Sequence, residues 1–427
     1  MTRRQISHHK KQERRQRLIF FGGIGIIAAV IILVIVGIIV GEIIPNNKTV
    51  LQVGDTKYNY SYYVDSLKVL SVFQSDYSPS EIVADVPQTI RQAQILREGA
   101  ASLNITISDD EVETTIEGAG LDVNDATMDF IRAQLLIPKL QEYFGTQLPE
   151  TMPQVDLEAI FTESETVAGQ IRPEMAATDN ISVLAEEYDL NPYSSNNGTY
   201  GWHPSSILET SVGSSIPVEW AFQASSGDVS QPLSDNESWK KKGYWLLRVN
   251  SVAEEVNTDN ETMVSANVSG ILLGNEEEAL QIRDRLVAGE DLAAIAEQYS
   301  QYSSSSENGG ELGVFVETSD NYTHALSALT DPYIFGEDTE IGAWSSPVMD
   351  DVYWTQGGFW LAKALGVDEN RALSEDDRTT LINDKYNEWQ SVLDDDPAYE
   401  MVNTVTDIQQ ADAVTEAEKY LTSLTKR

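Results

Sequence analysis

The chain has no cysteine, which excludes disulfide staples, thiol nucleophiles, thiolate metal sites and a lipid-modified N-terminal cysteine together. Histidine is nearly as scarce. The four present, His8, His9, His203 and His324, are too scattered for a metal cluster, and His203 and His324 read as solvated loop residues. Basic residues are the third shortage: after residue 44, 21 Lys and Arg stand against 66 Asp and Glu. A surface of that sign repels nucleic acid and anionic membrane, so no nucleic-acid partner is expected, and the lack of Cys and scarcity of His leave no metal expected.

What basic charge there is lies mostly at the start. Residues 1–17 hold seven Lys/Arg against Glu13 and read as a cytoplasmic tail. Leu18 to Gly41 follows with 24 residues and no charge, long enough to cross a bilayer at about 1.5 Å per residue. The expectation is an uncleaved anchor over 18–44, with the N-terminus cytoplasmic and the bulk outside the cell membrane. The remaining chain is too long for one ordinary core.

Val264 to Phe315 carries the densest signal. An alternating stretch to Leu273 predicts a strand, and the acidic start at Glu276–Glu278 with apolar Leu280, Ile282, Leu286 and Val287 predicts a helix that Gly289 stops. A second short helix carries Leu292, Ile295, Ala296 and Tyr299, and Ser303–Ser306 with Asn308-Gly309-Gly310 reads as a loop. The same order occurs earlier: Ala159–Asp189 overlays Gly270–Ser300 without a gap at an offset of 111 residues. Gln170-Ile171-Arg172 repeats as Gln281-Ile282-Arg283, and Gly227, Ser230 and Pro232 correspond to Gly342, Ser345 and Pro347. Tyr244-Trp245-Leu246 likewise matches Phe359-Trp360-Leu361. A repeat of this length is a duplicated domain.

With its Glu307-Asn-Gly-Gly-Glu-Leu-Gly313 turn, G-x-x-S-x-P and closing Gly-aromatic strand, the second copy resembles the parvulin (PpiC-type) peptidyl-prolyl isomerase domain. The first copy is a worn version, with Asn197-Gly198-Thr-Tyr-Gly-Trp202 at the turn. The resemblance implies an activity that needs no cofactor: the barrier to prolyl rotation is about 20 kcal/mol, lowered by gripping the ring while polar groups act on a twisted carbonyl. It also implies two facing histidines and a Cys or Asp. The first histidine position falls on Ala159 and Gly270, the second on Trp245 and Trp360, and the Cys/Asp position on Asn191 and Tyr302. No catalytic residue is expected at any of them. The apolar side of the pocket survives as Phe222, with Tyr333 or Phe335 in the second copy. The expected peptide-binding grooves are floored by Phe222 with Trp245, or by Phe335 with Trp360.

Around the copies, residues 48–150 read as a short strand and amphipathic helices. They resemble the N-terminal chaperone region of the SurA, PrsA and PpiD group of folding factors, notably in Glu98-Gly-Ala-Ala-Ser-Leu-Asn-Ile-Thr-Ile-Ser-Asp-Asp-Glu-Val112. Gly145–Pro153 and the acidic Asn250–Glu261 read as linkers, and residues 369–427 as helices that pack back on the N-terminal ones. The expected organisation is α+β: an N-terminal transmembrane helix, a helical chaperone-like domain, and two tandem parvulin-like domains at 151–253 and 262–368, each a small antiparallel sheet with helices. The resemblance implies an anchored folding factor that binds unfolded or nascent exported polypeptides. Weak or lost isomerase activity is one reading of it, an active isomerase a second, and a structural spacer a third.

Overall fold

The computed structural model describes residues 46–178, 180–194, 196–256, 262–317, 326 and 331–426. The tail and the anchor expected at 18–44 lie outside them, as do His8, His9 and His324. Among the described residues no helix is long and apolar enough to cross a membrane. The chain divides into two compact units, one of residues up to 148 together with 381 onward, the other of 149–380.

In the first unit a hairpin of β1 (Thr49–Val53) and β2 (Thr56–Asn59) turns at Gly54. Glycine is required there: φ is +54°, and a Cβ would lie 2.1 Å from the Ala398 carbonyl oxygen. Helix α1 (Tyr60–Phe73) is capped by Asn59, α2 (Val86–Ser102) opens on a proline, α3 (Asp109–Gly118) is capped by Ser108, and α4 (Asp125–Gln147) is capped by Asn124. Their apolar faces meet in a core that includes Tyr63, Leu67, Ile116, Leu136 and Leu140. Because α4 continues through Gly145, the linker expected from that residue shrinks to the few positions before Thr151.

The second unit holds β3 (Thr151–Thr162), α5 (Glu165–Ala177), α6 (Ser182–Tyr188), β4 (Thr199–His203), α7 (Ser205–Val212), α8 (Ile216–Ala221) and β5 (Leu233–Lys240). The first copy ends in β6 (Gly243–Val256), and the second follows as β7 (Thr262–Leu273), α9 (Glu276–Val287), α10 (Leu292–Tyr299), α11 (Ser303–Glu307), β8 (Glu311–Val316), β9 (Val348–Asp350) and β10 (Thr355–Ala372). The Ser303–Ser306 stretch expected as loop is thus a short helix. Two four-stranded antiparallel sheets result, ordered β4-β3-β10-β5 and β8-β7-β6-β9.

This order corrects the tandem boundaries 151–253 and 262–368, because the copies exchange their closing strands. β10, from the second copy, lies against β3 of the first with Trp360 opposite Phe161. β6, from the first copy, lies against β7 of the second with Trp245 opposite Leu272. The second sheet with its helices is therefore inserted between β5 and β10 of the first. The physical reason is loop closure. A closing strand and an opening strand are antiparallel neighbours in either arrangement, and β6 and β7 adjoin in sequence, so a local hairpin costs less chain entropy than reaching back to β3. Much of the supposed acidic linker is consequently ladder, from Ser251↔Asn267 to Val256↔Thr262.

The repeated serines lock the exchange. Arg172 donates to the Ser230 carbonyl at 2.7 Å, and the Ser230 hydroxyl accepts from Ala362 N at 2.9 Å on the incoming strand. Arg283, Ser345 and Leu247 N repeat the pattern at 2.7 and 2.9 Å. Where the strands cross between sheets, the buried Lys240 ammonium donates to the Gly357 carbonyl. Burial pulls its pKa down to about 8, against the raising influence of Glu163 and Glu278.

His203 is a strand residue rather than a solvated loop residue: its Nδ1 lies 2.6 Å from Asp377 Oδ1, and Asp377 is buried. Past it, α12 (Glu375–Asp394) is capped by Ser374, which accepts from Asp377 N at 3.0 Å. From Leu381 the chain belongs to the first unit, where Trp389 packs on Phe144 with ring centroids 5.9 Å apart. Gly99 makes room for it, since a Cβ there would come within 2.7 Å of the indole. β11 (Met401–Asn403) adds to β1, and α13 (Asp407–Leu424) opens on a capping box of Thr406 and Gln409.

Candidate functional site

Strand alternation divides each sheet into two faces. In the first sheet Ile160 and Leu361 pack with Ala168, Ile171 and Met175 of α5, while Ala159, Phe161, Trp360 and Ala362 face Leu208 and Val212 of α7 and Val218 and Ala221 of α8. In the second, Leu246 and Ile271 pack with α9 and α10, while Trp245, Leu247, Val268 and Leu272 form the other face. The six positions that the family resemblance singled out therefore regroup. Ala159 and Asn191 share the first sheet's site with Trp360, and Gly270 and Tyr302 share the second's with Trp245.

The expected groove floors, Phe222 with Trp245 and Phe335 with Trp360, are corrected accordingly. Phe222 packs on the cluster containing Trp360, and Tyr333 and Phe335 on the cluster containing Trp245. Neither indole is a floor open to ligand: Trp245 is 0% and Trp360 1% exposed. Each instead donates its N–H to a buried aspartate, Trp245 to Asp350 at 3.1 Å and Trp360 to Asp235 at 2.9 Å. A buried indole needs such an acceptor.

In the second site, among the described residues, aromatic side chains crowd Trp245. Tyr302 and Tyr353 stand edge-on to Trp245 with centroids 5.3 and 5.7 Å away and 5.5 Å from each other. Burial, with Tyr302 and Asp350 nearby, pushes the Tyr353 hydroxyl up to about 12. At Gly270 a Cβ would meet Leu247 Cδ2 at 2.7 Å and Leu312 Cδ1 at 2.9 Å, so a side chain where the family has histidine would have to displace both leucines.

The first site is open. A groove of about 590 Å³ runs between the segment at Asn191 and Tyr193, the turn from Gly213 to Ile216, and β5 from Ser234 to Trp239. Tyr193 and Trp239 are 64% and 51% exposed and stand at the same groove. Gly213, at φ +78°, lets the Tyr193 ring lie against the helix end, where a Cβ would come within 2.5 Å of it. Asp235 forms the floor. Its Oδ2 accepts from the Ser214 and Ser238 hydroxyls at 2.7 Å each and from Trp360, and its Oδ1 accepts from Glu237 N and Ser238 N at 3.0 and 2.9 Å. Burial raises its pKa, but these donors outweigh burial and bring it down to about 2. Asn191 is committed elsewhere, donating to Tyr200 OH at 2.9 Å and to the Val212 carbonyl at 3.1 Å. The groove thus offers aromatic walls and a fixed anion. Among the described lining residues there is no His or Lys to act as a base, and the Ser214 and Ser238 hydroxyls are spent on holding Asp235.

Sequence reasoning missed Asp235, Tyr193, Glu237 and Trp239. Asp235 had a signal: Ser230-Gln-Pro-Leu-Ser-Asp235 repeats as Ser345-Ser-Pro-Val-Met-Asp350. The exposure of Tyr193 and Trp239 had none, since it depends on what does not pack against them.

Residues 274–348 match the rotamase family, described as a PPIC-type PPIase domain. The foldase protein PrsA of Oceanobacillus iheyensis is 32% identical over 96 residues, which is 20% of this chain and 32% of that protein. The chaperone SurA of Burkholderia thailandensis is 26% identical over 283 residues, 64% of this chain and 55% of that one. The chain therefore spans about a third to about half of these relatives. A solved PrsA from Bacillus cereus, 11% identical, aligns over 87% of this chain and 99% of its own with a TM-score of 0.27, too low to bear on the fold.

Proposed function

From the premise that residues 274–348 belong to a parvulin-type domain, we propose that the chain is a membrane-anchored extracytoplasmic folding factor. Its first sheet holds extended segments of unfolded exported polypeptides, and its prolyl isomerase activity is weak or lost. The observation that carries this reading is the contrast between the sites. Among the described residues Tyr302 and Tyr353 crowd Trp245 in the family-like copy, while the site in the worn copy opens as a groove with exposed aromatic walls. Similarity to proteins named foldase and chaperone supports the same class. The uncharged run over residues 18–41 supports the anchor.

The chemistry follows from the replaced positions. Polar groups at Ala159, Gly270, Trp245 and Trp360 would have acted on a twisted carbonyl, and each 1.36 kcal/mol of lost transition-state stabilisation slows a reaction about tenfold. Binding an extended chain needs none of them, because apolar burial contributes about 25 cal/mol per Å² without any reacting group. A protease-coupled assay on the full chain should give a cis/trans rate near the uncatalysed value, while calorimetry detects binding of a proline-containing peptide. Acceleration matching that of a two-histidine parvulin would replace this reading with that of an active isomerase.

A further inference from the structure

The groove of the first sheet has a charge that its surroundings leave unbalanced. Asp235 is 2% exposed and held ionised by hydroxyls, an indole and backbone amides, all of them neutral donors. Glu237 stands beside it on the rim with its carboxylate exposed, and no Lys or Arg lines the groove. The walls are the exposed faces of Tyr193 and Trp239. A carboxylate floor under two aromatic rings is the arrangement that attracts an organic cation, through the ring quadrupoles above and the fixed anion below. The second sheet repeats the buried carboxylate as Asp350, but there Tyr302 and Tyr353 stand beside Trp245.

We infer that the groove between Tyr193 and Trp239 is selective for a Lys or Arg side chain on an extended polypeptide, seated over Asp235 and Glu237. This deepens the proposed function and rests on it, naming the side chain that the bound segment presents. A basic residue set among apolar ones in an unfolded chain would then be what the site reads. An acidic residue in its place would face two like charges.

The test uses the full-length chain in detergent at physiological ionic strength, where the Debye length of about 8 Å keeps the molecule's overall negative charge from imitating a local site. Two fluorescent peptides are titrated by anisotropy, Ala-Ala-Arg-Pro-Ala-Ala and the same sequence with norleucine for arginine. The arginine peptide should bind about tenfold or more tightly. Trp239→Ala and, separately, Glu237→Gln should remove most of that preference. Both residues are exposed, and an unchanged circular dichroism spectrum reports that the variants fold. Equal binding of the two peptides would overturn the inference and leave the proposed function standing. A preference that survives both variants would also overturn it, by placing the cation elsewhere. Failure of both peptides to bind would remove the inference and the peptide-binding reading together.

Discussion

At the residue scale, the paired Trp–Asp contacts are the part of the molecule where single atoms decide most. Asp235 terminates five hydrogen bonds, so Asp235→Asn loses the ionic strength of all of them and leaves Trp360 Nε1 facing an amide that can turn its own donor inward. A cost of about 2–3 kcal/mol in a denaturant titration at neutral pH is expected. The pH dependence has a definite sign. The folded pKa, about 2, lies below the ordinary carboxylate value near 3.9. The stabilisation is therefore complete above about pH 4 and is lost as pH falls toward 2, and the wild-type advantage over Asp235→Asn should shrink over that window. Gly270 makes a second test. Its missing Cβ lies against Leu247, Leu312 and the Leu246 carbonyl, so Gly270→Ala should destabilise by about 1–3 kcal/mol in the same titration through overpacking. An unchanged midpoint would mean that the second site has room after all.

At the scale of the element, the exchanged strands set where the protein can be cut. A fragment of residues 262–368 follows the sequence repeat, but it lacks β6, the inner partner of β7 and β9, and carries β10 with neither β3 nor β5 to pair it. It should be unfolded or aggregated, because the unpaired flank of β7 and the orphan β10 expose ladder groups. A fragment of 243–350 contains all four strands of the second sheet and should give dispersed amide resonances and a cooperative melt. If 262–368 folded as well as 243–350, the strand exchange would not be the solution structure. Either sequence repeat or strand alternation alone supports both cuts. The choice lies in which antiparallel partner each closing strand takes, and the Ser230 and Ser345 clamps are equally able to hold either.

At the scale of the whole molecule, the anchor reading predicts that protease added to intact spheroplasts removes nearly everything after residue 44, and protection of that part would reverse the topology. The sequence by itself determined many of the elements, though not the short helix at Ser303–Glu307 or the ladder from Ser251 to Val256. Apolar periodicity and caps such as Ser108 and Ser374 act within a few residues, so α3 and α12 were legible from spacing alone, whereas the Asn124 cap that starts α4 was not read. The duplication was legible too, as was the loss of the polar reacting groups at Ala159, Gly270, Trp245 and Trp360, because side-chain identity needs no fold. Only the tertiary structure decided which copy supplies each closing strand, and hence that Trp360 belongs with Asp235 and Trp245 with Asp350. It also decided that the worn copy keeps an open groove. Both outcomes come from competition between nearly equivalent long-range contacts: the two closing strands carry almost the same pattern, so local sequence does not separate their partners. The balance falls to loop closure between β6 and β7, and to whether Tyr302 and Tyr353 turn into a space that Tyr193 and Trp239 leave empty in the other sheet.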